Sequence, residues 1–148
     1  IPKVHRYVKL QERPSRSHYV DAAIAKRKNP PLFGIEMFQM LYQSQVALNT
    51  HIDLSSHSAS NMRLFEVTGV GACLLTDWKE NLSHVFEPEQ EVVTYRSPEE
   101  CIEKVKWLLE HPKAREAIAR AGQARTLRDH TFAQRAAQLD EIIKSDFI

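Results

Sequence analysis

This 148-residue chain has only two cysteines and four glycines, and neither charge is in excess. Cys73 and Cys101 are too few for a disulfide framework, and no Cys/His group has structural zinc spacing, so a reducing, cytoplasmic setting is the expectation. Lys and Arg total 20 against 19 for Asp and Glu, which excludes the sustained positive field of non-specific nucleic-acid binding. No apolar run approaches the roughly 20 residues that a membrane-crossing helix needs. The start also lacks the basic, apolar and small-residue succession of a signal peptide.

What is present is the make-up of one domain with a single core, 43% hydrophobic and 26% charged. That length is too short for a complete two-domain enzyme. The chain starts with Ile rather than Met, and the expectation is a piece of something longer. The near-neutral total hides a division. Residues 1–30 hold eight Lys/Arg against two acids, a net +6, and residues 31–148 hold twelve against seventeen, a net −5. Residues 1–31 are accordingly set apart as a basic segment, with a short strand at Lys3–Leu10 and a short helix at Tyr19–Lys28, punctuated by Pro14, Pro30 and Pro31. Residues 32–148 form the folded domain.

From Phe33 onward the pattern is regular. Met37, Phe38 and Leu41 fall at helical spacing within Ile35–Ser44, and Val46–Thr50 is a strand followed by the polar loop His51–Ser60. Asn61–Thr68 is a helix with Ser60 as its cap, ended by Gly69 and Gly71. Ala72–Thr76 is a buried strand ending at Asp77, Asn81–Phe86 a short helix and Glu91–Tyr95 a third strand. Ser97, Pro98 and two acids open the next helix, whose buried stripe is Ile102, Val105, Leu108 and Leu109. Pro112 interrupts it. A further helix runs through Ile118 to about Arg128, and a last one starts at Thr131. Strands alternating with helices imply a parallel sheet covered on both faces, in which ligands bind beyond the carboxyl ends of the strands. That rule points to His51–Glu66.

The chemistry of this stretch has two readings. Small residues, hydroxyls and the cation Arg63 at a helix start suit a phosphate or diphosphate, and Glu66, three positions on, is the carboxylate that could accept two hydrogen bonds from a ribose diol. Alternatively Ser60 only caps, and Arg63 with Glu66 is a surface pair worth about 0.2–0.5 kcal/mol. Gly69 and Gly71 either let a backbone approach a ligand or provide a helix stop and close packing. His51 and Asp53, past a strand end, form a weak candidate acid/base pair. His84, His111 and His130 sit near helix ends and are structural.

Residues Leu32-Phe33-Gly34-Ile35-Glu36-Met37, Val46-Ala47-Leu48-Asn49-Thr50-His51-Ile52-Asp53 and Asn61-Met62-Arg63-Leu64-Phe65-Glu66-Val67-Thr68-Gly69-Val70-Gly71 closely resemble the C-terminal domain of glycosyltransferases with the GT-B fold. Within these, the chain is similar to the group related to the spore-maturation protein CgeB, of the family 1 and 4 type. The resemblance covers about residues 32–145. It implies a Rossmann-like three-layer α/β/α domain that binds the nucleotide-sugar donor, with most of the acceptor site on a separate N-terminal half. By the same resemblance Glu66 matches the Glu that holds the ribose hydroxyls, and Asn61, Met62 and Arg63 match the helix start facing the donor phosphates. Retaining relatives often carry a second Glu eight positions earlier, where this chain has Ser58. The transfer needs no metal cofactor, and no paired-Asp motif to hold one is present. A base for the acceptor hydroxyl would come from the N-terminal half, so residues 1–31 would lead in from that half and their charge would face the donor cleft. The chain would not turn over alone. Two alternatives stand beside this expectation. One is a non-catalytic interaction module that keeps the fold without donor binding. The other is a phosphoacceptor receiver-like domain, which would need an early acidic cluster and a Lys after a late strand, neither of them evident.

Overall fold

In a computed structural model the chain divides into two compact units, Ile1–Pro31 and Leu32–Ile148. The structure describes residues 22–51 and 57–147. The strand expected at Lys3–Leu10 lies outside the described residues. Of the helix expected at Tyr19–Lys28, the described part is the single exposed turn α1 (Ala22–Ala25).

The second unit runs α2 (Gly34–Gln43), β1 (Val46–Asn49), α3 (Arg63–Gly69), β2 (Cys73–Asp77), a 3-10 turn at Leu82–His84, β3 (Val93–Tyr95), α4 (Pro98–Glu110), α5 (Pro112–Asp129) and α6 (Phe132–Phe147). The three strands pair in chain order and both pairings are parallel, Ala47 opposite Leu74 and Leu75 opposite Val93. Side chains on a strand alternate between faces, and here that sorts the core into two halves. Ala47, Ala72 and Leu74 join Leu41 of α2 and Leu64 and Val67 of α3 on one side. Cys73, Leu75 and Val93 join Leu108 of α4 and Ala119 of α5 on the other. The expected three-layer α/β/α arrangement is therefore observed, with β2 buried between its neighbours as a central parallel strand requires.

Local sequence explains the helix starts. The Ser97 hydroxyl accepts from the Glu100 amide at 3.2 Å, with Pro98 in the first turn of α4. Ahead of α6, the Gln134 side chain reaches back to accept from the Thr131 amide at 2.7 Å, as in a capping box.

Two expectations need correction. Only Leu108 of the α4 stripe is fully buried; Ile102 is 55% and Leu109 49% exposed. Their apolar face is wider than the sheet beneath it, because among the described residues the sheet stops at β1, where Leu48 is 61% exposed. The glycines also divide differently. Gly69 lies inside α3, and the left-handed stop falls on Gly71 alone, with φ +83°. The glycine that close packing demands is Gly122, where a Cβ would stand 2.3 Å from the carbonyl oxygen of Glu91.

Alanine at these positions should therefore act in opposite directions. Gly122→Ala gains helix propensity of about 1 kcal/mol but must push α5 off the β3 approach, for a net destabilisation of about 1–3 kcal/mol. Gly69→Ala meets only the Thr126 methyl at 3.6 Å and should be neutral or stabilise by up to about 1 kcal/mol. Urea unfolding of the two variants checks this. A tolerated Gly122→Ala would contradict the packing described.

Candidate functional site

The polar side chains gather where the parallel strands end. Asn49, the last residue of β1, donates from Nδ2 to the Thr76 hydroxyl of β2 at 2.9 Å, and the Tyr95 hydroxyl of β3 donates to the Asn49 carbonyl at 3.0 Å. Two residues past β1, His51 is buried, and its backbone N–H donates to Asp77 Oδ1 at 3.0 Å. Its ring Nδ1 lies 2.6 Å from the same oxygen, which assigns the Nδ1 proton to this bond. Thr76 adds a hydroxyl at 3.3 Å, and Lys79 sits 3.3 Å from Oδ2. Burial works to raise the Asp77 pKa, but the hydrogen bonds and charge of His51 and the Lys79 ammonium outweigh it and hold the carboxyl below its ordinary range. The other ring nitrogen, Nε2, is buried with no hydrogen-bond partner among the described residues.

His51 is thus partnered with Asp77. Asp53 lies outside the described residues, as do Ser55 and Ser56. Asn61 is also engaged: its amide and that of Asn49 exchange bonds of 3.0 and 3.3 Å, which fastens the approach to α3 onto the end of β1. Asn81 holds the segment just before it, bonding both the N–H and the carbonyl of Ala59 at 2.6 and 3.1 Å.

α3 begins later than expected, at Arg63, and the residue in the cap position is Met62, whose side chain makes no cap bond. Ser60, the expected cap, lies two residues before that position. With seven residues, α3 offers only two turns of dipole, and the positive charge at its start is the Arg63 side chain. Arg63 and Glu66 face one another at 3.3 Å on the partly exposed side of the helix. The opposite side of α3 is tied to α5: the Thr126 hydroxyl meets that of Thr68 at 2.6 Å, and Thr68 donates onward to the Leu64 carbonyl at 2.7 Å. Gln123 of α5 caps the end of α3 through the Gly69 carbonyl at 3.2 Å.

Beside Glu66 opens a cavity of about 460 Å³, walled by Phe38 of α2, Met62 and Phe65 of the α3 segment, and Phe132 and Arg135 of α6. Phe38 is one of the three α2 residues at helical spacing. The structure places Leu41 in the core and turns Phe38 toward the cavity. Of the three histidines expected to be structural, His130 bonds the Val85 carbonyl through Nε2 at 2.8 Å and packs against Phe65 and Phe86. His111 stacks on Trp107, and His84 closes the 3-10 turn. Among the described residues there is no group of three or more metal-ligating side chains and no helix long and apolar enough to cross a membrane.

A parallel sheet between two helical layers, with its polar residues collected at the carboxyl ends of the strands, defines an α/β domain of Rossmann-like type. A family model described as glycosyl transferase-like matches residues 9–141, and the chain belongs to that family, whose general chemistry is glycosyl transfer. None of the curated proteins and none of the solved structures matches it.

The Asp77 cluster has a pH signature. Its carboxyl is depressed in the folded state, so its stabilisation is complete above the unfolded value near pH 4 and is lost as pH falls through the lower folded value. Asp77→Asn should cost about 1–3 kcal/mol at pH 7 and flatten the loss of stability between pH 5 and 3. Thermal midpoints of both proteins across that range test it, and parallel curves would contradict it.

Proposed function

We propose that this chain is the donor-binding, C-terminal domain of a GT-B glycosyltransferase of the CgeB-related group, acting in the cytoplasm on a nucleotide-sugar donor. The observation that carries the reading is the placing of Glu66, a carboxylate at the mouth of a cavity with a cation one helical turn before it. In the reaction the acceptor hydroxyl oxygen bonds to the anomeric carbon, and the bond from that carbon to the diphosphate breaks. The electron pair leaves with the nucleoside diphosphate and the hydroxyl proton passes to a base. Arg63 offsets the charge that develops on the departing diphosphate, while Glu66 accepts from both ribose hydroxyls and so fixes the donor's position. Asn61 and Met62 set the start of α3, Gly69 lies within it, and Gly71 makes the left-handed turn that leads the chain on to β2. His51 is a positioning residue: with Asp77 it fixes where the chain leaves β1.

The base that takes the acceptor proton belongs to a separate N-terminal half, and no metal takes part. A second reading, a non-catalytic interaction module, draws on Ser58 standing where retaining relatives often have Glu, and on Arg63 and Glu66 being paired with each other.

Nucleoside diphosphates separate the two readings. Donor binding predicts that UDP, GDP, ADP or TDP, at roughly a hundredfold excess over its dissociation constant, raises the unfolding midpoint by about 5–10 °C. Glu66→Ala should remove most of that rise. No shift with any of the four would favour the interaction module.

A further inference from the structure

We infer that the cavity beside Glu66 takes the base of the nucleoside diphosphate as a flat ring without reading its hydrogen-bonding edge, so that the protein accepts purine and pyrimidine nucleotides alike. The inference rests on the reading of Glu66 as the ribose carboxylate.

The order of chemistry along α3 sets the orientation. Arg63 lies outside the cavity lining, Glu66 stands on its rim, and the rings of Phe38, Phe65 and Phe132 lie within it. Cation, carboxylate and aromatic wall follow one another as diphosphate, diol and base do in a nucleotide. At about 460 Å³ the cavity falls within the range of small-molecule pockets.

What the walls do not offer decides the rest. The Thr126 hydroxyl is bonded to Thr68 at 2.6 Å. His130 uses Nε2 on the Val85 carbonyl at 2.8 Å and Nδ1 on Arg135 at 2.7 Å. Arg135 gives its other terminal nitrogen to Gln138 at 2.7 Å, and the Thr131 hydroxyl is in contact with Gln134. Each polar side chain lining the cavity other than Glu66 therefore already has a hydrogen-bond partner within the protein. Strong discrimination between similar rings comes from buried groups left wholly unpaired by the wrong one, and phenyl rings beside groups that already have a partner impose little of that penalty. Ring area remains, and it favours the larger purines slightly.

Calorimetric titration of the protein with ADP, GDP and UDP tests this. Dissociation constants within about tenfold of each other, purines tighter, are expected. Phe132 is 85% exposed, so Phe132→Ala leaves the core intact; it should weaken all three by roughly fivefold, and Phe132→Tyr should restore them. A preference above about a hundredfold for one base, or Phe132→Ala without effect while Glu66→Ala abolishes binding, would overturn the inference and leave the donor reading standing. Failure of the unaltered protein to bind any of the three would overturn the donor reading itself.

Discussion

The contact between His51 and Asp77 is the constraint on which the site depends. Parallel strands have no hairpin to align their ends, so the register of β1 against β2 at their carboxyl end has to be fixed by side chains. Asp77 does this with one carboxylate oxygen that meets the His51 amide, the His51 ring and the Thr76 hydroxyl, while Lys79 balances the other. An ionised carboxylate in a half-buried place is tolerable only because its hydrogen bonds are so nearly complete. The exchange between Asn49 and Asn61 then carries the fixed strand end across to the helix that follows.

That helix is held from behind as well as from the front. Leu64 and Val67 press it on the sheet, the Thr68 and Thr126 hydroxyls join it to α5, and Gly122 lets α5 come against the backbone at Glu91. Because the buried side of α3 is used up in this way, Met62, Arg63 and Glu66 are turned outward. The cavity follows from the next break in the chain: α5 ends at Asp129, His130 anchors the turn to Val85, and α6 starts at Phe132, which lines the cavity together with Phe65. Packing of the core and placing of the candidate site are thus one arrangement.

Most of the fold could be read from the residues, because strand and helix patterns are local. The alternation of strands with helices, the Ser97-Pro98 start and the break at Pro112 all reflect the backbone preferences of a few neighbours. Boundaries slipped where side chains competed for the same backbone groups. Ser60 has the chemistry of a cap, but Asn49 and Asn81 hold residues 59–61 in place and the helix starts at Arg63. The α4 stripe reads as wholly buried, yet its exposed half depends on how many strands lie beneath it, which no local pattern states. In the site, Arg63 and Glu66 were legible because one helical turn separates them. Asp77 as the partner of His51 was not, being 26 residues away, although a Thr-Asp pair closing an apolar strand was a sign that something there needed an acceptor. The aromatic wall had no signal at all, since Phe38, Phe65 and Phe132 come from three helices.

The central claim is that Glu66 stands between the anionic and the aromatic parts of a bound nucleotide. Mapping amide chemical-shift changes by heteronuclear NMR during addition of ADP tests this most directly. The account predicts that the perturbed amides cluster at residues 62–66 and 131–135, on both sides of the cavity mouth. Perturbations confined to α4 and the start of α5, on the far face of the sheet, would contradict it.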